Sequence, residues 1–184
     1  MTYPTFSISE SAYPLKLVAT TGGEVQISIH PPSPFICANR PRVIPDWKAA
    51  DLWVVIVLQQ SRYKLVATTP EVEAEKERLR EKFMRFGCDV AFNLRDSGYL
   101  TDVIDPRTGY PLLSRPGQIP HDDTAVVKAL LGYPIIHNRC RVLVHPQWGM
   151  AVYPSILISA AHPAIIEFVC KNIAPKHGWN EEKR

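Results

Sequence analysis

Six consecutive residues, Trp53-Val54-Val55-Ile56-Val57-Leu58, carry no charged or amide side chain. Successive side chains of a strand point to opposite faces, so this run predicts a central strand buried on both. The strongest helix follows it. Thr68-Thr69-Pro70-Glu71 offers a capping box with proline in the first turn, and Glu71, Glu73 and Glu75 sit near the positive helix end. Val72, Leu79, Phe83, Phe86, Val90 and Leu94 then form one apolar stripe, and Gly98 is placed to stop it. About 28 residues make a rod of roughly 40 Å. Its early turns, polar almost all round through Arg78, are expected to run along the surface.

The remaining elements are shorter. Leu15 to Thr20 and Glu24 to His30 flank Thr21-Gly22-Gly23, a hairpin signal. Val25, Ile27 and Ile29 alternate with Gln26 and Ser28, which predicts one wet face for the second strand. Five prolines between Pro31 and Trp47 predict an irregular loop, held to the core by Phe35, Ile36, Val43, Ile44 and Trp47. Tyr99 to Ile104 reads as a strand, Asp105 to Gly109 as a turn, and Tyr110 to Leu113 as the start of its return. Asp122-Asp123 caps a short helix from Thr124 to Leu131 that ends at Gly132.

A strand from Cys140 to His145 closes with a turn at Pro146 to Gly149, and Ala151 to Tyr153 and Ile156 to Ser159 follow as two strands. A closing helix from about Pro163 buries Ile165, Ile166, Val169, Cys170 and Ile173. The fold class is α+β, a largely antiparallel sheet with packed helices. One globular domain, 1–184, is expected, with an ordered core from about residue 13 to 174 and a frayed polar tail over 175–184.

Composition excludes several functions. A net charge of +3, with lysine and arginine spread along 184 residues, gives no footprint for nucleic acid. No apolar run reaches the ~18 residues of a membrane span. Met1 to Ser9 has neither a basic residue nor an apolar core of the kind that addresses a chain elsewhere, so a cytoplasmic protein is expected. In that compartment Cys37, Cys88, Cys140 and Cys170 are reduced thiols, three of them core packing.

The chemistry the residues support is sparse. His137, Cys140 and His145 have metal-binding types, but their spacing is no known signature. Strand alternation puts Cys140, Val142 and Val144 on one face and Arg139, Arg141, Leu143 and His145 on the other. One ligand or one Cys-His catalytic pair is therefore disfavoured. Asp102 and Asp105 read as local hydrogen-bond acceptors, and Asp122 and Asp123 as helix caps. Dinucleotide and phosphate-loop motifs are missing, and Arg40 and Arg42 make a poor flavin cradle, so no flavin and no catalytic residue is expected. The balance tilts toward a binding or adaptor protein.

Three segments resemble the methylmalonic aciduria and homocystinuria type D protein family of cobalamin-trafficking partners. The first comprises Glu81-Lys82-Phe83, then Leu94-Arg95-Asp96-Ser97-Gly98-Tyr99, then Asp102-Val103-Ile104-Asp105-Pro106 with Gly109. The second is Cys140-Arg141-Val142 continuing to His145, Trp148 and Gly149; the third is Ile44-Pro45-Asp46-Trp47 leading into Leu52 to Gln59. Together they span roughly Gly23 to Cys170.

The resemblance implies a fold related to nitroreductases and flavin reductases that no longer works as one. It also implies an adaptor that docks on a cobalamin-processing protein, serves cobalamin-dependent enzymes, and meets cobalamin through its partner. Candidate cobalamin- or partner-binding residues are Cys140, Arg139, Arg141, His145 and Trp148. Gly98, Tyr99, Asp102, Asp105, Pro106 and Gly149 are motif positions expected to be structural.

In the family the strand opens with two adjacent cysteines, of which the first ligates cobalt; here the pair is Arg139-Cys140. A one-residue offset reverses the face. Cys140 is thus either a soft cobalt ligand, its thiolate favoured by Arg139 and Arg141, or a packed core thiol. A flavin-dependent reductase and a thiol redox or metal-binding protein are the rival readings.

Overall fold

The computed structural model describes residues 15–48, 51–137 and 139–182. In chain order the elements are β1 (Leu15–Ala19), β2 (Glu24–His30), α1 (Pro34–Val43), β3 (Trp53–Gln60), α2 (Pro70–Asp96), β4 (Thr101–Ile104), α3 (Asp123–Leu131), β5 (Ile135–His137), β6 (Arg141–Leu143), β7 (Val152–Ser159), α4 (Pro163–Ile173) and β8 (Trp179–Glu181). Six strands form one sheet in the order β4-β7-β3-β2-β1-β8, and β5 and β6 make a separate hairpin. Each neighbouring pair is antiparallel. The fold is therefore α+β with an antiparallel sheet, as expected. Among the described residues no helix is long and apolar enough to cross a membrane.

The apolar run in β3 divides the interior in two. Val55 and Val57 face one cluster, where Phe83, Phe86, Val90 and Leu94 of α2 and Ile166, Val169 and Ile173 of α4 pack. Val54, Ile56 and Leu58 face the other, built with Ile36 and Val43 of α1 and Val126 and Val127 of α3. Gly87 lets α2 lie close on the sheet, because a Cβ there would sit 3.2 Å from Val103 and 3.5 Å from Leu157.

Several expectations need correction. The proline-rich segment is not a loop throughout, since α1 occupies its middle. Ser33 caps it by accepting from the Ile36 N–H, and Pro34 stands in the first turn, where a missing N–H costs nothing. Pro41 lies in the last turn, so it interrupts only the end. The cap of α2 is Thr69, one residue later than the Thr68 capping box, with its hydroxyl accepting from the Val72 N–H.

In the early turns of α2, Glu75 is buried and not solvated. Its carboxylate accepts from the Arg62 N–H at 3.0 Å and pairs with Arg78 at 2.7 Å. The wet face of β2 does not exist either: Gln26 and Ser28 are buried, 3% and 0% exposed. The two strands expected after residue 150 are one, β7. Its Pro154 lies opposite Leu58, beyond the stretch paired with β4, so the missing N–H breaks no ladder.

The tail does not fray over its described residues, 175–182. A 3-10 turn at Ala174–His177 leads into β8, which pairs with β1 from Leu17 to Ala19. Trp179 is wholly buried against Phe86, their ring centroids 4.7 Å apart. His177 pairs with Asp89 at 2.7 Å, and Lys171 with Glu181 at 2.7 Å. Residues 13 and 14, the proposed start of the ordered core, lie outside the described residues.

Truncating a buried Trp to alanine removes its transfer energy and leaves a cavity. Trp179→Ala should therefore lower unfolding stability by about 3–5 kcal/mol. Urea denaturation followed by circular dichroism measures this, and a loss below ~1 kcal/mol would contradict a structural tail.

Candidate functional site

The β5–β6 hairpin brings the sequence candidates into view. Ile135 pairs with Leu143 and His137 with Arg141, so Arg139 and Cys140 lie in the connection between the strands. Val142 and Leu143 are buried and anchor the hairpin, whereas Arg139, Cys140 and Arg141 are exposed. This corrects both the predicted strand from Cys140 to His145 and the packed-core reading of Cys140. A hairpin tip is free of the alternation that would have turned the thiol inward. Of the other cysteines Cys37 is exposed, Cys88 half-buried and Cys170 buried, so the expectation of three core thiols also fails. Burial pushes the Cys170 thiol up to about 12.

His145 points elsewhere. The turn from His145 to Gly149 closes through both backbone hydrogen bonds, 2.8 and 2.9 Å, with Gly149 at a positive φ of 57°. The ring Nδ1 accepts from the N–H groups of Gln147 and Trp148, each at 3.1 Å. Nε2 therefore carries the proton and donates to Oε1 of the buried Gln26 at 2.8 Å. Trp148 stacks on the ring at 3.9 Å, nearly parallel, and Tyr133 meets it edge-on at 5.4 Å. Burial lowers the imidazole to about 4. Both nitrogens of the neutral ring are thus engaged within the turn and with Gln26, and Trp148 packs on its face. Among the described residues no cluster of His, Cys, Asp and Glu could hold a metal ion.

Gly98, Tyr99, Asp102 and Asp105, also motif positions, each make local hydrogen bonds. Gly98, φ 87°, ends α2 with its N–H on the Arg95 carbonyl, and the Tyr99 N–H reaches Leu94. Asp102 is buried in β4, and its Oδ1 accepts from the N–H groups of Val103, Leu112 and Leu113 at 2.8–3.0 Å. Asp105 receives a forked pair of bonds from Arg80, 2.9 and 2.7 Å, and one from the Arg107 N–H at 2.9 Å. Arg80 first, and the Arg107 N–H after it, hold the Asp105 carboxyl below the ordinary range. Arg40 and Arg42 sit in the last turn of α1, where Arg40 donates to the Trp47 carbonyl.

Cys140 borders a cleft of about 150 Å³ between the hairpin, the start of α3 and the start of β7. Asp123, Thr124 and Tyr153 line it with Arg141 and Lys76. Lys76, Pro106 and Tyr153 also line a neighbouring hollow of about 480 Å³ along α2. Four cations border the two, and each has a carboxylate: Lys76 with Glu73, Arg80 with Glu77 and Asp105, Arg107 with Glu77, and Arg141 with Asp122.

Asp123 is the residue that the sequence reading misassigned. Asp122 alone caps α3, accepting from the Ala125 N–H at 3.0 Å. One cap position cannot use two aspartates, and Asp123 turns into the cleft instead. Its Oδ1 accepts from the Thr124 N–H at 2.7 Å. Burial, reinforced by Asp122, pushes its carboxyl up to about 7. Burial first and Asp123 second raise the Tyr153 phenol.

A family model described as methylmalonic aciduria and homocystinuria type D protein matches residues 22–168. The cobalamin trafficking protein CblD of Homo sapiens is 27% identical over 122 residues, which is 66% of this chain and 41% of that protein. The protein of the same name from Rattus norvegicus is 28% identical over 111 residues, 60% of this chain and 38% of that one. This chain thus spans about two fifths of the length of the curated relatives it matches.

His145 makes stability depend on pH in a defined direction. Its folded value of about 4 lies below the ordinary 6.5. Between the two, the unfolded chain takes up a proton that the folded one refuses, so this contribution is complete above about pH 6.5 and falls by about 2 kcal/mol at pH 5. Buried His121 acts in the same sense, and Asp123 in the opposite one, because its raised carboxyl favours folding as pH falls. The informative quantity is the difference between proteins. His145→Asn, whose Oδ1 can still accept from the turn, should be less stable at pH 7.5 but lose about 2 kcal/mol less than the parent on going to pH 5. Parallel urea titrations measure it, and equal losses would refute a neutral His145.

Thiol exposure gives a second expectation. Cys37 and Cys140 should react with Ellman's reagent in the native protein, Cys88 slowly, and Cys170 only on unfolding. Cys140→Ser should remove one fast equivalent; an unchanged fast count would mean that the tip is covered.

Proposed function

The chain belongs to the methylmalonic aciduria and homocystinuria type D protein family, and from that premise we propose that it is a non-catalytic adaptor in cobalamin trafficking. In this reading it docks on a cobalamin-processing protein and offers Cys140 to the cobalt. The observation that carries the reading is the exposed thiol on a hairpin tip whose base is buried. A thiolate is a soft donor suited to a transition metal, and a ligand supplied to another protein's cofactor has to project from its own surface. The rigid base supports the same role: Val142 and Leu143 anchor one strand, and Arg141 is tied to Asp122 beside the thiol.

The layered arrangement, a sheet with helices on both faces, is read as a descendant of the nitroreductase and flavin-reductase fold that has given up its flavin. Arg139, also exposed at the tip, stands where the family pattern has its first cysteine.

Reduced or hydroxylated cobalamin mixed with the protein, alone and with a cobalamin-processing partner, should show a shifted visible spectrum when a protein sulfur ligates cobalt. Cys140→Ser should abolish the shift and Arg139→Cys should strengthen it. No shift in any of the three would remove cobalt ligation and leave only docking. Tightly held flavin absorbing near ~450 nm, with turnover, would overturn the adaptor reading altogether.

A further inference from the structure

The cleft beside Cys140 has the size and chemistry of a side-chain site. A cavity of about 150 Å³ holds a molecule of benzene's size, so this one takes a short arm but not a macrocycle. Its wall is polar. Among the described residues Asp123 forms no ion pair, and neither its Oδ2 nor the Tyr153 hydroxyl makes a hydrogen bond. Asp122, the nearest acidic neighbour, is already paired with Arg141. With the bordering cations each matched to another carboxylate, Asp123 leaves a surplus of negative charge. An anionic group is disfavoured there, and a neutral group that both donates and accepts is favoured. A primary carboxamide fits that description, with an N–H for Asp123 and a carbonyl for the Tyr153 hydroxyl. The corrin ring carries such amides on short arms around the cobalt.

We propose that the cleft seats one peripheral carboxamide arm of the corrin, held by Asp123 and Tyr153 while Cys140 faces the cobalt. The inference rests on Cys140 acting as the cobalt ligand. It adds a specificity element: the adaptor would read the amidated periphery of the ring as well as the metal.

The test titrates hydroxocobalamin and its separated propionamide-derived monocarboxylic acids into the protein at about pH 8, where Asp123 is ionised. Affinity is read from the visible spectrum. At least one monocarboxylate should bind the parent protein ten-fold or more weakly than hydroxocobalamin, on the order expected for like charges brought together. Asp123→Asn, which keeps an oxygen for the Thr124 N–H and so the local fold, should bring that derivative back to within about three-fold. Tyr153→Phe should weaken hydroxocobalamin itself by roughly five-fold.

Equal binding of every derivative, or a gap that Asp123→Asn leaves unchanged, overturns the proposal. The same insensitivity is expected if the cleft takes an asparagine or glutamine of a partner protein. A parent protein that gives no cobalt shift removes the ligation reading and this inference with it. Matched thermal unfolding of the variants separates lost binding from lost fold.

Discussion

No side chain from Val54 to Leu58 can meet water at a profit, and both faces of β3 must therefore be covered. That requirement shapes the rest. Alternation sends Val55 and Val57 to one helix layer and Val54, Ile56 and Leu58 to the other. The α2 and α4 layer is deep because α2 is long and Gly87 admits it close to the sheet. The opposite layer is built from shorter pieces, and the turn that follows β6 reaches across to Gln26 in β2. A buried amide in that position needs a partner, and the neutral His145 ring supplies one while its other nitrogen gathers the turn. The hairpin that carries Cys140 is thereby fixed to the sheet through side chains and not through a ladder.

This attachment separates two duties. The buried end of the segment, His145 to Gly149, holds position; the exposed end, Arg139 and Cys140, is free to present chemistry. A ligand offered to a neighbour's metal must be accessible and also costly to misplace. Accessibility follows from the tip, and placement follows from Val142, Leu143 and the Arg141–Asp122 pair. The motif positions between α2 and the loop after β4 are consistent with this division. Asp102 stitches three backbone N–H groups through Oδ1, and both carboxylate oxygens of Asp105 are locked by Arg80.

Much of the fold was legible because it depends on periodicity. The apolar run, the stripe on α2 and the Gly-Gly hairpin each point to one local answer. What escaped depends on contacts distant in sequence. Gln26 looks like part of a wet face until His145, over a hundred residues away, is laid on it. Polar residues between Pro175 and Glu181 suggested fraying, yet one buried Trp179 and one strand pairing hold the tail. α1 was hidden by its prolines: Pro34 stands in the first turn, where a helix tolerates it, and Pro41 costs one bond only in the last turn. Asp123 carried a faint signal, since two adjacent aspartates cannot both cap one helix.

The register argument about Cys140 shows where such reasoning stops. Alternation is a property of extended, paired backbone, and pairing in this hairpin ends at His137 and Arg141. Beyond that pair a one-residue offset no longer reverses a face; it moves a side chain along a tip whose described positions, Arg139 and Cys140, are both exposed. In the Arg139-Cys140 pair the thiol is accordingly exposed. Arg139, one residue before it, places a cation beside that thiol. The chemistry of the site then turns on how a cation and a thiol share one exposed turn, a property of the tip and not of the sheet below it.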